Sequence, residues 1–153
     1  MQIEIIHEAD EDILIIRPFE QGTEPANQEM FKAEKGEFWW YSSKELWVGL
    51  GKTPKLPAVT RIFRSLFFKR KDRWPVQLTL DARGRNAEWV GNAVNGIVLG
   101  GYDLQLYKTE PKAISEFFRL GTLSIVTGDF APVTQSAENA WKTSLVQMRV
   151  MDL

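Results

Sequence analysis

Apolar residues come in short, separated runs in the first third of the chain, and from Leu46 onward their spacing switches repeatedly between two and three-to-four residues. Ile3, Ile5 and Ile6, and then Ile13 to Ile16, are short β-branched runs of the kind that enter a sheet, with an acidic turn from His7 to Asp12 between them. The stretch from Pro18 to Lys35 contains Gly22 and Pro25 and holds no sustained period, so it reads as loop with at most a short helix. Glu37 to Tyr41 predicts a strand with Phe38 and Trp40 on one face and Trp39 and Tyr41 on the other. Bulky aromatics on both faces imply either cover from both sides with a partly wet edge, or a surface for a partner or ligand.

Leu46 to Leu50 is the next strand. It leads into a helix whose Leu56, Val59, Ile62, Phe63, Leu66 and Phe67 form a core-facing stripe, with Thr53 placed to cap it and Pro54 at its first position. Pro75 to Leu80 alternates as a strand, Asp81 to Arg85 turns, and Asn86 caps a helix carrying Val90, Val94, Ile97 and Val98 beside Gly91, Gly96, Gly100 and Gly101. Glycine inside a helix costs about 0.5–1 kcal/mol relative to alanine, so these glycines imply close backbone approach, expected here as Gly96 and Gly100 lying against the sheet. Tyr102, Leu104 and Leu106 then alternate with Asp103, Gln105 and Tyr107 up to Lys108, as an extended segment does. Lys112 to Arg119 suggests a short amphipathic turn and Leu123 to Val126 a last strand; Thr134 is placed to cap a helix running to the C-terminus. That helix has two apolar faces. Ala137, Trp141, Leu145 and Met148 are expected to turn inward, and Val146, Val150 and Leu153 toward solvent or a neighbour. The alternation of strand and helix from Leu46 implies right-handed parallel crossovers with helices on both faces of the sheet, a three-layer α/β/α domain with a mixed, largely parallel sheet.

Composition narrows the class further. With 153 residues the chain fits one domain, residues 1–153, large enough to bury about 68% of its unfolded surface. It is 44% hydrophobic and 25% charged, and no apolar run approaches the roughly 20 residues that span a bilayer, so a soluble globular protein without membrane partners is expected. The N-terminus lacks the basic and apolar regions of a secretory signal, and the absence of cysteine agrees with a cytoplasmic address. A net charge of −1 argues against strong nonspecific attraction for nucleic acid.

Candidate chemistry is sparse. His7 is the single histidine and sits in the acidic turn; there is no HExxH, no metal-ligand spacing and no nucleophile with a base at a recognisable distance. The triplet Gly51, Lys52, Thr53 after a strand resembles the end of a phosphate-binding loop, but that motif needs a glycine where Leu46 stands. Lys69, Arg70, Lys71 and Arg73, with Arg61 and Arg64 upstream, form a basic cluster. It is explained either by the helix C-terminal dipole or by contact with a phosphate backbone. No catalytic, cofactor-binding or metal-binding residue is assigned on these grounds.

One stretch carries a specific likeness. Asn95 to Lys108, NGIVLGGYDLQLYK, resembles the leucine aminopeptidase (cytosol aminopeptidase) family, in which a glycine-containing helix end is followed by a Tyr-x-Phe-x-x-Tyr-Lys segment. Gly96, Leu99, Gly100, Tyr102, Tyr107 and Lys108 match; Leu104 stands in place of Phe, and Asn95 replaces an acidic residue. Phe31 to Glu37, the strand ending at Lys52 and the terminal MRVMDL resemble the family in the same order. The resemblance implies the family's macro-domain-like N-terminal domain. Its catalytic domain, with two divalent metals (zinc or manganese) and motifs such as NTDAEGR, is missing from this sequence. It implies further that this chain is the non-catalytic regulatory or assembly part of a metallopeptidase that removes N-terminal amino acids. Its partners would be its own C-terminal catalytic domain and other copies in a homo-oligomer, a hexamer by the family pattern. The alternatives are a free-standing macro-like module for an ADP-ribose-type nucleotide, by analogy of fold, and a nucleic-acid binder using the basic cluster.

Overall fold

The computed structural model describes residues 1–25, 29–102 and 114–151. Among these residues six strands make one sheet in the order β1-β6-β5-β2-β4-β3, where β1 is Gln2–Ile6, β2 Leu14–Glu20, β3 Phe38–Ser42, β4 Glu45–Gly51, β5 Gln77–Asp81 and β6 Thr122–Val126. Every neighbouring pair is parallel except β3 with β4, which form an antiparallel hairpin at the sheet's end. The helices are α1 (Leu56–Lys69), α2 (Ala87–Gly100), the short α3 (Phe117–Leu120) and α4 (Phe130–Met151). The class is the expected one, α/β with a mixed, mostly parallel sheet and flanking helices. Among the described residues no helix is long and apolar enough to cross a membrane.

Strand register aligns the aliphatic residues into one surface. Ile3 lies beside Leu123, Leu123 beside Leu78, Leu78 beside Leu14, and Ile16 beside both Leu80 and Leu46. On this surface sit Val59, Ile62, Phe63, Leu66 and Phe67 of α1, Val90, Val94 and Ile97 of α2, and Val133 and Ala137 of α4. The long helices therefore share one side of the sheet, where the alternation of strand and helix suggested both: β4 to β5 and β5 to β6 step the same way along the sheet, so right-handed crossovers put α1 and α2 on the same face. The opposite side carries a second cluster in which Phe31, Ala33 and Trp47 are buried and Phe19 and Trp39 pack around them.

Several local expectations change. Strand β2 continues through Pro18 to Glu20, where loop was expected. Its pairing with β5 stops at Ile16, so the missing Pro18 N–H removes no bond to that neighbour. Helix α1 begins later than the sequence suggests: Lys55 occupies the cap position without a side-chain bond, Pro57 lies in the first turn, and Thr53 sits in the preceding loop at φ +38°. Asn86 does cap α2, accepting from Trp89 N–H at 2.8 Å. Thr134 is already inside α4, where its hydroxyl donates to the Phe130 carbonyl at 2.7 Å, the helix having started at Phe130.

The glycines of α2 face helices and not the sheet. A Cβ at Gly96 would strike the Thr60 carbonyl and reach 3.0 Å from both Arg64 N and Phe63 Cβ; one at Gly100 would lie 2.5 Å from Phe67 Cβ. Both belong to the contact with α1. A Cβ at Gly91, earlier in the helix, would lie 2.6 Å from Ser136 Oγ of α4. Glycine spacing reveals that a neighbour comes close, but carries no mark of whether that neighbour is strand or helix. The extended segment expected beyond Tyr102, from Asp103 to Lys108, lies outside the described residues, as do Lys112 and Leu153. On α4, Ala137 is fully buried, Trp141, Leu145 and Met148 are half-buried, and Val146 and Val150 are exposed, at 59% and 63%.

Candidate interaction surface

The largest concentration of unusual side chains lies where β3 closes the sheet. Its alternation holds: Phe38 and Trp40 stand opposite Val48 and Leu46 of β4 on the helical side, while Trp39 stands opposite Trp47 on the other. Tyr41 stacks flat on Trp47, with ring centroids 4.9 Å apart and planes 6° apart, and Trp39 meets Trp47 at 5.4 Å. Trp47 is itself fixed by donating its indole N–H to Glu45 at 2.6 Å. The aromatics of β3 are thus anchored from beneath, yet Phe38 and Tyr41 remain 38% and 51% exposed.

Next to this edge the basic cluster separates into different environments. The Arg70 guanidinium lies over Trp40 at 4.9 Å and near Trp74 at 5.8 Å, and its buried Nε has no hydrogen-bond partner. Burial, with Arg73 nearby adding to it, lowers the pKa of Arg70. Lys71 is only 5% exposed, with its ammonium 4.3 Å from the Phe68 ring. Trp74 is pinned by its own N–H to Ser115 Oγ at 2.7 Å and its indole N–H to the Phe67 carbonyl at 3.1 Å. The run of cations is therefore not one solvated stripe: two of its members pack against aromatic rings as part of the fold. A cavity of about 560 Å³ opens beside it, lined by Asp12, Trp40, Lys44, Arg73 and Gln77 at the amino ends of β2 and β5. In open α/β sheets ligands bind at the carboxyl ends, so this cavity is at the opposite end from the usual ligand crevice.

At the carboxyl ends the arginines are already committed. Asp81 accepts from Arg17 at 2.7 Å and from Arg83 at 2.8 and 2.9 Å, Arg17 also pairs with Glu45 at 3.2 Å, and Arg85 pairs with Glu20 at 2.6 Å. Burial works to raise the Asp81 pKa, but the hydrogen bonds from Arg83 and the charges of Arg83 and Arg17 outweigh it and hold the carboxyl below its ordinary value. Gly51 ends β4 at φ +76°, and Lys52 and Thr53 bend the chain into the loop leading to α1. His7, the lone histidine, packs tilted against Phe130, with ring centroids 4.4 Å apart. Among the described residues no group of three His, Cys, Asp or Glu side chains is arranged to hold a metal ion.

No family model and no curated protein matches this sequence. Solved structures do match its fold. The bottromycin maturation enzyme BotP in complex with Mn aligns at TM-score 0.58 and 20% identity over 86% of this chain. A second structure of BotP aligns at 0.61 and 16% over 89%. A tomato leucine aminopeptidase mutant aligns at 0.68 and 14% over 95%. The chain spans only 30%, 31% and 36% of the length of these proteins, in their N-terminal part. Its fold is that of the N-terminal domain of leucine aminopeptidases.

Proposed function

We propose that this chain serves as the non-catalytic N-terminal domain, regulatory or assembling, of a metal-dependent aminopeptidase that removes N-terminal residues from peptides in the cytoplasm. The observation that carries this reading is one of extent: nearly the whole chain superposes on about a third of each matched enzyme, 95% of it on 36% of the tomato leucine aminopeptidase mutant. One matched enzyme is in complex with Mn. Zinc or manganese, in this reading, is held by the catalytic part of the parent, which this chain adjoins. The outward pair Val146 and Val150 on α4 gives that part an apolar surface to rest on.

The test is the native polypeptide. An antibody raised against this chain should recover from the source cells a protein substantially longer than 153 residues, or a tight complex, with aminopeptidase activity that chelation abolishes and manganese or zinc restores. Recovery of a species of this length alone, inactive and unaccompanied, would overturn the reading.

A further inference from the structure

The cavity at the amino ends of β2 and β5 carries charges of both signs that the fold leaves unquenched. Its volume, about 560 Å³, lies in the range of small-molecule sites. Trp40, Leu14 and Val76 give it an apolar wall, with Val76 48% exposed, and Asp12, Lys44 and Arg73 share the lining. Among the described residues the Asp12 carboxylate accepts no hydrogen bond; Asp12 is bonded through its backbone, its N–H donating to Asp10 at 2.9 Å and its carbonyl accepting from the Lys44 ammonium at 2.6 Å. Arg73 meets a carboxylate only at Asp72, 3.9 Å away, with both side chains more than half exposed. A pair that long and that wet holds neither group in place.

Arg70 favours an anion on the arginine side. Its guanidinium lies 4.9 Å from the centre of the Trp40 ring, and its buried Nε has no hydrogen-bond partner. Burial, and then the like charge of Arg73, work against its ionised form, and Asp72 offsets them only in part. Negative charge arriving at Arg73 relieves that repulsion.

We propose that this cavity binds a free α-amino acid with a large apolar side chain, which lies against Trp40, Leu14 and Val76 while the α-carboxylate meets Arg73 and the α-ammonium meets Asp12. A guanidinium matches a carboxylate with two parallel hydrogen bonds. One free acid and one free base beside an apolar wall select a molecule that carries both charges on neighbouring atoms and a hydrophobic group with them. A plain acid leaves Asp12 unmatched, and a plain amine leaves Arg73 unmatched. Binding itself owes nothing to the aminopeptidase reading; only the ligand's role, as a released product acting back on the protein, rests on it.

Titrating the purified chain of 153 residues with L-phenylalanine should give saturable magnetic-resonance shifts at the Trp40 indole N–H and at residues 12–14 and 73–77. The dissociation constant should fall below about 1 mM, and 3-phenylpropionate, phenethylamine and glycine should each bind at least about tenfold more weakly. Asp12→Asn should erase the preference over 3-phenylpropionate, and Arg73→Gln the preference over phenethylamine. Both side chains are exposed, so the fold is not at stake in either variant. Should one fold poorly, the four-ligand comparison on the wild-type chain still decides. No saturation with L-phenylalanine by about 10 mM overturns the proposal. So does equal binding of either analogue, or shifts confined to another part of the chain. Binding by a chain whose native form lacks peptidase activity keeps the site and discards only the product role; no binding beside an active parent discards the site and keeps the parent.

Discussion

On the side of the sheet turned to α1, α2 and α4, adjoining strands set Leu123, Leu78, Leu14, Ile16, Leu80 and Leu46 against one another in one continuous apolar cluster. The other side of the same strands carries Ser124, Thr79, Asp81, Arg17 and Glu45, and reaches an apolar cluster only around Trp47. A shift of one residue in register would exchange these surfaces, so the contrast between them fixes the pairing of the sheet. It also divides the sources of stability. The helical side relies on burial, which is indifferent to pH, and the other side relies in part on charge pairs that acid can break.

The contrast is broken most directly at Leu80, fully buried at the centre of the helical side. Leu80→Ala should cost about 2–5 kcal/mol, measured by urea unfolding, because the helices above cannot collapse fully into the space left. A loss well under this range would show that the helical side is loosely packed.

Gly96 sharpens the same side from the opposite direction. With Thr60, Phe63 and Arg64 already at contact distance from the position a Cβ would take, Gly96→Leu must push α1 and α2 apart, and about 1–3 kcal/mol should be lost. A melting temperature equal to that of wild type would show that the two helices separate without penalty.

These positions also mark how far the sequence could be read. Strand and helix order, the Asn86 cap, the alternation of Phe38 to Tyr41 and the exposure of Val146 and Val150 follow from periodicity and local hydrogen bonding, which are properties of a few consecutive residues. The partner of the α2 glycines does not, because α1 lies some thirty residues away in the chain and a glycine has no side chain to signal what it approaches. The end of β2 was hidden for a related reason: Pro18 normally argues against a strand, and only the early end of β5 pairing makes it harmless. Of the candidate surface, the aromatic strand was legible, but its place at the sheet's edge was not. The packing of Arg70 and Lys71 against rings was also hidden, since a run of cations looks the same in sequence whether it is solvated or folded inward.

On the polar side, Asp81→Asn tests the charge network. At neutral pH the variant should lose about 1–2 kcal/mol, since Arg17 and Arg83 would face a neutral amide. The sign with pH follows from the lowered folded-state pKa. The stabilisation from ionised Asp81 is present in full above the ordinary carboxyl value of 3.8, and is lost as pH falls from there through the lower folded value. The gap between wild type and variant should therefore close across that acidic window and stay level above it. A gap that persists unchanged into strong acid would remove the charge network from the account of this side. Leu80→Ala, in contrast, should keep its deficit at every pH.

The smallest expected effect is at Val150, on the outward face of α4. The side chain is 63% exposed, beyond the reach of either sheet face, so Val150→Lys should change the stability of the isolated chain by less than about 0.5 kcal/mol. Lysine is at least as good a helix former as valine, which removes propensity as a source of loss. The near-zero result is informative because the same substitution has a different meaning if a catalytic domain rests on this face. There it would place an ammonium against an apolar surface, and the cost of desolvating it would appear as weakened docking between the parts. The measurement is thus a pair of melting curves, one of this chain with and without Val150→Lys and one of the longer native polypeptide with and without it. An effect confined to the longer protein supports a covering domain at α4. Equal and negligible effects in both would leave this face to solvent and remove it as the resting place proposed for the catalytic part.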